Sequence, residues 1–164
     1  MKYWVDLREK EFEFPFLHSL IDGFIINDLS FESFPKELNT LIYIEENPNI
    51  LNLERTVSAL FQKYEKTIIV ELPYSLDNCY IVQNYQGILK FCMRVDNFIE
   101  MNNGIEVGCS YVYLDKPFYY PDAYNVFAVI NYSNIDKSAP TNIVKIKPNE
   151  FKEMFNEEKS CDNN

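Results

Sequence analysis

Short apolar runs rich in β-branched and aromatic residues constrain the fold of this chain more than any other feature. They recur along most of the 164 residues, for example at Leu41 to Glu45, Thr67 to Leu72 and Ile88 to Val95. Such residues favour strands because they pack well on a pleated, half-buried surface. Counted along the chain, the runs predict seven to nine strands.

One segment in the middle of the chain has helical periodicity instead. Its apolar residues recur at steps of three and four, which places them on one face of a helix. These residues are Leu53, Val57, Leu60, Phe61 and Tyr64. Asn52 is the expected N-cap because its side chain can accept a hydrogen bond from a free first-turn amide, and Asn49 is the alternative start.

The remaining connections predict the fold class. A second, short helix is expected at Pro148 to Glu157, and turn-like segments such as Tyr85-Gln86-Gly87 predict hairpins between strands. We therefore predict an α+β fold with a curved, mainly antiparallel sheet, one central amphipathic helix and a short C-terminal helix.

Length and composition predict one domain. The chain has the size of a single domain, and 47% of its residues are hydrophobic, enough to offset the ordering entropy that keeps polar chains disordered. No linker divides it. We expect residues 1–157 to form one globular domain and the polar residues 158–164 to form a flexible tail.

Charge restricts the partners. Residues 9–54 hold ten acids but only two bases, and the whole chain has a net charge of −10. Nucleic acids and anionic membranes are therefore disfavoured, because both bind clustered Lys and Arg. A basic protein partner is favoured, since opposite charge speeds capture. The alternative is that the acids only keep the protein in solution.

Two segments are candidates for such a partner surface. The first supplies the acids Glu32, Glu37, Glu45 and Glu46. The second is the proline-stiffened loop from 115 to 124, in which aromatic rings between acids suit a Lys- and Arg-rich partner. Its candidate residues are Asp115, Phe118, Tyr119, Tyr120, Asp122 and Tyr124. The alternative is that the loop folds back as a lid on the core.

The sequence carries little catalytic chemistry. His18 is the only histidine and lies in an apolar setting, which favours a structural role. Cys79 is the best candidate nucleophile, but the nearby Asp77 would raise its pKa. Zinc-site spacing, glycine-rich phosphate loops and a nucleophile elbow are absent from the sequence. We expect no catalytic residue, no metal and no cofactor.

Location is predicted from the start of the chain and the cysteines. Charged residues follow Met1 at once, so no signal peptide is expected, and no apolar run reaches membrane-spanning length. Four cysteines without paired spacing suit a reducing cytoplasm, where they serve as small core residues.

These observations favour a cytoplasmic protein inhibitor rather than an enzyme: an immunity or antitoxin-like protein that neutralises a basic toxin domain, for instance a nuclease. One alternative is a small-molecule-binding or enzymatic domain whose pocket is lined by aromatic residues. Another is an accessory subunit of a phage or mobile-element assembly. In the first of these alternatives, the small-molecule-binding or enzymatic domain, the candidate pocket residues are Tyr80, Tyr111, Tyr113 and Tyr132.

Overall fold

A computed structural model of the chain describes residues 1–9, 18–120, 127–135 and 142–154, and eight strands lie within them. The strands are β1 (Lys2–Asp6), β2 (Ile21–Ile26), β3 (Thr40–Ile44), β4 (Thr67–Pro73), β5 (Lys90–Val95), β6 (Tyr111–Leu114), β7 (Phe127–Asn131) and β8 (Ile143–Ile146). Each strand pairs in parallel with the next, and β8 pairs in parallel with β1. The sheet is therefore a closed parallel barrel.

Helices return the chain between several of these strands. In the described residues, α1 (Ile50–Tyr64) follows β3, α2 (Leu76–Tyr85) follows β4 and α3 (Phe98–Val107) follows β5. A 3₁₀ turn at Tyr132–Asn134 follows β7, and residues 148–154 are helical after β8. Eight sequential parallel strands with outer helices make a TIM-like α/β barrel, in less chain than the roughly 250 residues usual for that fold.

The predicted α+β fold with a mainly antiparallel sheet is therefore wrong. Each strand of a closed parallel barrel is buried on both faces, one inside the barrel and one against outer segments. In β4, for example, the consecutive residues Ile68, Ile69 and Val70 are all buried. Such a run reads as a strand but carries no information on whether its neighbours run parallel.

The predicted turn at 85–87 shows how a helix was missed. The residues before it, 76–85, form α2 rather than the strand of a hairpin. Ser75 caps this helix, because its hydroxyl accepts a hydrogen bond from the backbone N–H of Asn78 at 3.0 Å. The apolar residues Ile81 and Val82 are β-branched, and their burial in tertiary packing outweighs their strand preference.

The predicted central helix is confirmed as α1, with the alternative start. Asn49 is the N-cap, and its Oδ1 accepts a hydrogen bond from the N–H of Leu51 at 3.1 Å. Four of the five predicted face residues are buried, whereas Phe61 is 59% exposed.

The C-terminal helix is confirmed over the described residues 148–154. Phe151 on this helix is fully buried, and its ring lies edge-on to that of Tyr3 with centroids 5.6 Å apart. The rest of the predicted helix and the tail at 158–164 lie outside the described residues.

The interior of the barrel is a separate apolar core. Every strand contributes to it, and its fully buried members include Trp4, Ile25 and Ile42. Gly23 lies beside them, where a larger residue would have to displace its neighbours. A Cβ at this position would lie 2.6 Å from Ile42 Cδ1 and 3.1 Å from the carbonyl oxygen of Thr40.

Candidate functional site

A charged cavity lies at the carboxyl ends of the barrel strands. We call this region the mouth. It encloses about 170 Å³ and is lined by residues at or just after the ends of β1, β3 and β5 to β8, together with Glu71 of β4. In TIM-barrel enzymes the active site lies at this end, because the loops that follow the strands converge there.

An ion pair crosses the barrel at the base of the mouth. Lys145 Nζ lies 2.5 Å from Glu71 Oε1, and the two side chains are only 8% and 1% exposed. Lys145 belongs to β8 and Glu71 to β4, which lie on opposite sides of an eight-stranded barrel. The pair therefore spans the interior and separates the apolar core from the cavity.

The two carboxylate oxygens of Glu71 differ in their hydrogen bonding. Its Oε1 is shared between Lys145 and the thiol of Cys92, whose Sγ lies 3.9 Å away. Its Oε2 is buried and has no hydrogen-bond partner among the residues that the structure describes. A buried acceptor without a donor costs free energy, more so when it belongs to a charged group.

Tyr113 completes this layer of the interior. Its ring lies under the ammonium group of Lys145, with Nζ 3.6 Å from the centroid, which is a cation–π geometry. Glu71, Tyr113 and Lys145 come from β4, β6 and β8, in keeping with barrel layers built from alternate strands. Burial raises the pKa of the Tyr113 hydroxyl, although the nearby positive charge of Lys145 partly opposes the shift.

A second ion pair forms the rim beside β1. Arg8 Nη2 lies 2.8 Å from Asp6 Oδ2, and Arg8 Nε donates to both oxygens of the same carboxylate. Burial acts to raise the pKa of Asp6, but the hydrogen bonds and charge of Arg8 outweigh it, so the net effect is a lowered pKa. Asp6 therefore stays ionised in the folded protein at neutral pH.

A third pair closes the opposite side of the rim. Arg94 donates two parallel hydrogen bonds to Glu46, at 2.8 and 2.5 Å. These hydrogen bonds lower the pKa of Glu46 and raise that of Arg94. Glu46, predicted to meet a partner, is thus already bound to a cation of its own chain.

The other three acids of the first predicted segment lie apart from the cavity lining. Glu45 accepts hydrogen bonds from the Tyr43 hydroxyl at 2.9 Å and from the backbone N–H of Asn47. Burial and the bond to Glu45 raise the pKa of Tyr43 to about 12. Glu32 and Glu37 are exposed in the connection between β2 and β3.

The aromatic loop divides into inward and outward residues. A second apolar core, which we call the outer core, lies between the strands and the helices outside them. Tyr120 is 6% exposed and Phe118 packs against this outer core, so these two rings cover it as a lid. Tyr119 between them is 83% exposed, and Asp115 lines the mouth. Asp122 and Tyr124 lie outside the described residues.

His18 and the thiols lie elsewhere or are suppressed. His18 Nδ1 accepts a hydrogen bond from the N–H of Leu20, near the amino end of β2 and away from the mouth. Burial raises the pKa of the Cys79 thiol, raises that of Cys109 to about 12 and raises that of Cys92 well above its usual value. These thiols are therefore weak nucleophiles.

The proposed pocket tyrosines do not gather in one place. Tyr113 lines the mouth, Tyr111 packs against the apolar interior, and Tyr80 is 66% exposed on α2. Tyr132 lies in the 3₁₀ turn and packs against the outer core.

The three central residues of the mouth, Glu71, Lys145 and Arg94, were missed by sequence reasoning. Each stands within an otherwise apolar run of four residues in a strand of the barrel: Ile-Val-Glu-Leu in β4, Ile-Val-Lys-Ile in β8 and Cys-Met-Arg-Val in β5. A single charge inside such a run is costly unless it is paired. That pattern was the available signal.

A larger cavity of about 500 Å³ lies on the outside of the barrel. It is lined by Phe61 of α1, Tyr85 at the end of α2 and, near the amino ends of β4 and β5, Thr67 and Lys90. We call it the lateral groove. Its lining is mainly apolar, and none of the ion pairs of the mouth reaches it, so the mouth is the better candidate site despite its smaller volume.

Among the described residues, no three His, Cys, Asp or Glu side chains are grouped so as to hold a metal ion. The described helices are all too short or too polar to cross a membrane. No protein-family model matches the sequence, and no curated protein matches it.

Proposed function

We propose that this protein binds a small polar molecule at the mouth of its barrel. One observation carries the proposal: the ion pair of Glu71 and Lys145 is buried across the barrel, and it leaves Glu71 Oε2 without a donor among the described residues. A ligand that supplies the donor would complete the pair.

Stability does not account for this pair. Two charges taken out of water lose hydration that their mutual attraction barely repays, and replacing such pairs by apolar residues is often neutral or stabilising. Polar groups that break the apolar pattern of a core are found mainly at functional sites. The position at the carboxyl end of a parallel barrel supports the same conclusion by analogy with other barrels.

The test is a thermal-shift screen of a library of polar metabolites, with hits confirmed by calorimetry. Binding at the mouth predicts hits whose effect is lost or strongly reduced in Lys147→Ala, because Lys147 is an exposed residue of the cavity lining.

The matched control is Lys90→Ala. Lys90 is equally an exposed lysine, but it lines the lateral groove. Hits that are lost in Lys90→Ala and kept in Lys147→Ala would place binding in the groove and refute the proposal, as would a library without any saturable hit.

The second candidate function is the inhibition of a basic toxin domain. It is supported by the net charge of −10, the exposed acids Glu32 and Glu37 and the exposed ring of Tyr119. It requires no cavity. A cytoplasmic location belongs to this proposal and is supported by the free, buried thiols of Cys79 and Cys109.

This candidate is tested by co-purification with the product of the adjacent gene at low salt. A complex that is slower to form with the variant Glu32→Lys/Glu37→Lys would support it, since steering by acids speeds association. If no complex forms at low salt, the inhibitor function is refuted, while binding at the mouth is unaffected.

A further inference from the structure

Acids and bases are nearly balanced in number at the mouth. Its lining contains four acids, Asp6, Glu71, Asp115 and Glu150. It also contains four bases.

The bases of the lining are Arg8, Arg94, Lys145 and Lys147. Glu46, which binds Arg94 at the rim, adds a fifth acid, so an anionic ligand meets no surplus of positive charge. A net-neutral ligand enters without leaving a charge uncompensated, and an uncompensated charge is the costly case in a buried site.

Five of these eight charged groups are already held in ion pairs. Arg8 holds Asp6 with three side-chain hydrogen bonds, and Arg94 holds Glu46 with two. A carboxylate ligand that used either arginine would have to compete with a bidentate partner of its own kind.

The acceptor at the base of the cavity, Glu71 Oε2, would be satisfied by a hydrogen-bond donor of the ligand. Glu71 Oε2 can only accept while the carboxylate is ionised. A ligand ammonium there would approach Lys145, whose Nζ already lies 2.5 Å from the other oxygen, and like charges in a buried site repel strongly. A hydroxyl group donates without adding that charge.

Hydroxyl groups also suit the rest of the lining. Each one donates one hydrogen bond and accepts two, so neighbouring hydroxyls of one molecule can serve both Glu71 and N–H donors such as those of Lys147 and Asn131. The cavity of about 170 Å³ is large enough for several water molecules. A molecule of a few carbons fits it.

Resting on the proposed binding function, we infer that the ligand of the mouth is a small, net-neutral polyhydroxy compound, a polyol or a monosaccharide. One of its hydroxyls donates to Glu71 Oε2, and its other hydroxyls bind the N–H donors of the lining.

The experiment is a titration of the ¹⁵N-labelled protein, followed by amide chemical shifts, with five small probes that fall into four classes of charge. Ribose and glycerol are the neutral polyhydroxy probes, serine is the zwitterion, lactate the anion and ethanolamine the cation. The expected result is saturable shifts near the mouth with a polyhydroxy probe and none with the charged probes. Saturation separates binding from the weak, general effect of polyols as excluded cosolvents.

Two variants connect the shifts to the site. Glu71→Gln removes the charged acceptor and is expected to weaken binding by about ten- to a hundredfold, as for loss of a hydrogen bond to a charged group. Because this variant also breaks the pair with Lys145, Lys147→Ala is the second variant, and it keeps the pair intact. Lys90→Ala at the lateral groove should bind as the wild type does.

The outcomes separate the two proposals. Binding of serine, lactate or ethanolamine at the mouth without a polyhydroxy probe would overturn this inference and leave the proposed binding function standing. If no class of probe produced amide shifts, the inference would also be overturned, and the proposed binding function would then be tested by the metabolite screen alone. A polyhydroxy probe that binds Lys147→Ala and the wild type equally would refute the site.

Discussion

The two halves of the barrel interior differ in polarity and in packing. The amino-end half is apolar and tightly packed, as the absence of space for a Cβ at Gly23 illustrates. The carboxyl-end half holds the pair of Glu71 and Lys145 and a cavity of about 170 Å³. The first half closes and stabilises the barrel. The second gives up packing and carries charges, which is the arrangement expected where function, rather than stability, decides the residues.

The largest expected effect comes from breaking the buried pair. Lys145→Met removes the partner of Glu71 and leaves a buried, uncompensated carboxylate, so we expect a loss of about 3–5 kcal/mol in the free energy of unfolding. Urea denaturation measures it. The same loss is not expected from Lys147→Met, because Lys147 is exposed at the rim.

The double variant Glu71→Leu/Lys145→Met sharpens this result. With both charges gone, the stability should return to that of the wild type or exceed it by about 1–4 kcal/mol. A double variant as unstable as Lys145→Met alone would mean that the pair stabilises the barrel. That result would contradict the interpretation that the pair serves function rather than stability.

A smaller effect is expected in the apolar half. Gly23→Ala forces a Cβ against Ile42 and the Thr40 carbonyl, and overpacking of this kind costs about 1–3 kcal/mol. Gly87→Ala is the control, since no atom lies within 4 Å of a Cβ at that position. Equal stability of the two variants in thermal denaturation would show that the amino-end half is less tightly packed than described.

The rim should respond to acid. Because Arg8 lowers the pKa of Asp6 in the folded state, the pair stabilises the protein above the unfolded pKa of about 3.9 and loses that contribution as the pH falls through the folded value. The pair is partly exposed, so Asp6→Asn should cost only about 0.5–1 kcal/mol at neutral pH. Urea denaturation of both proteins at pH 7 and about pH 3 should show this difference shrinking in acid. A difference independent of pH would contradict the assignment.

The smallest effect is expected at Tyr119, outside the barrel. Its ring is 83% exposed, so Tyr119→Ala should change the free energy of unfolding by no more than about 0.5 kcal/mol. Tyr120→Ala, one residue along, removes a buried ring and should be clearly destabilising. Thermal denaturation of the two variants measures both effects. A large loss of stability in Tyr119→Ala would show that Tyr119 also belongs to the lid.

The sequence was most informative where periodicity is local. The apolar face of α1 and the C-terminal helix, described over residues 148–154, were both predicted from local sequence. The direction of the strands was not, because strands that are buried on both faces look alike in parallel and antiparallel sheets. Helix α2 was also not predicted, because its sequence is only weakly amphipathic and contains β-branched residues, which favour strands.

The site was harder to predict than the fold. Glu71 and Lys145 are 74 positions apart and meet only because β4 and β8 face each other across a closed barrel. The count of acids along the chain led to the prediction that Glu46 meets a partner, but Glu46 is bound to Arg94. Only the pattern of one charge inside a doubly buried strand would have pointed to the mouth.

The most direct test of a functional half and a structural half is to map ligand-induced amide shifts on the ¹⁵N-labelled protein, using the compound that gives the strongest confirmed hit in the metabolite screen. We predict saturable shifts that cluster at the carboxyl ends of the strands, around Asp6, Leu72 and Lys145, with little change at Tyr111 or Ile69, which lie near the amino ends of β6 and β4. Shifts centred on the lateral groove, around Phe61 and Ile88, would contradict it.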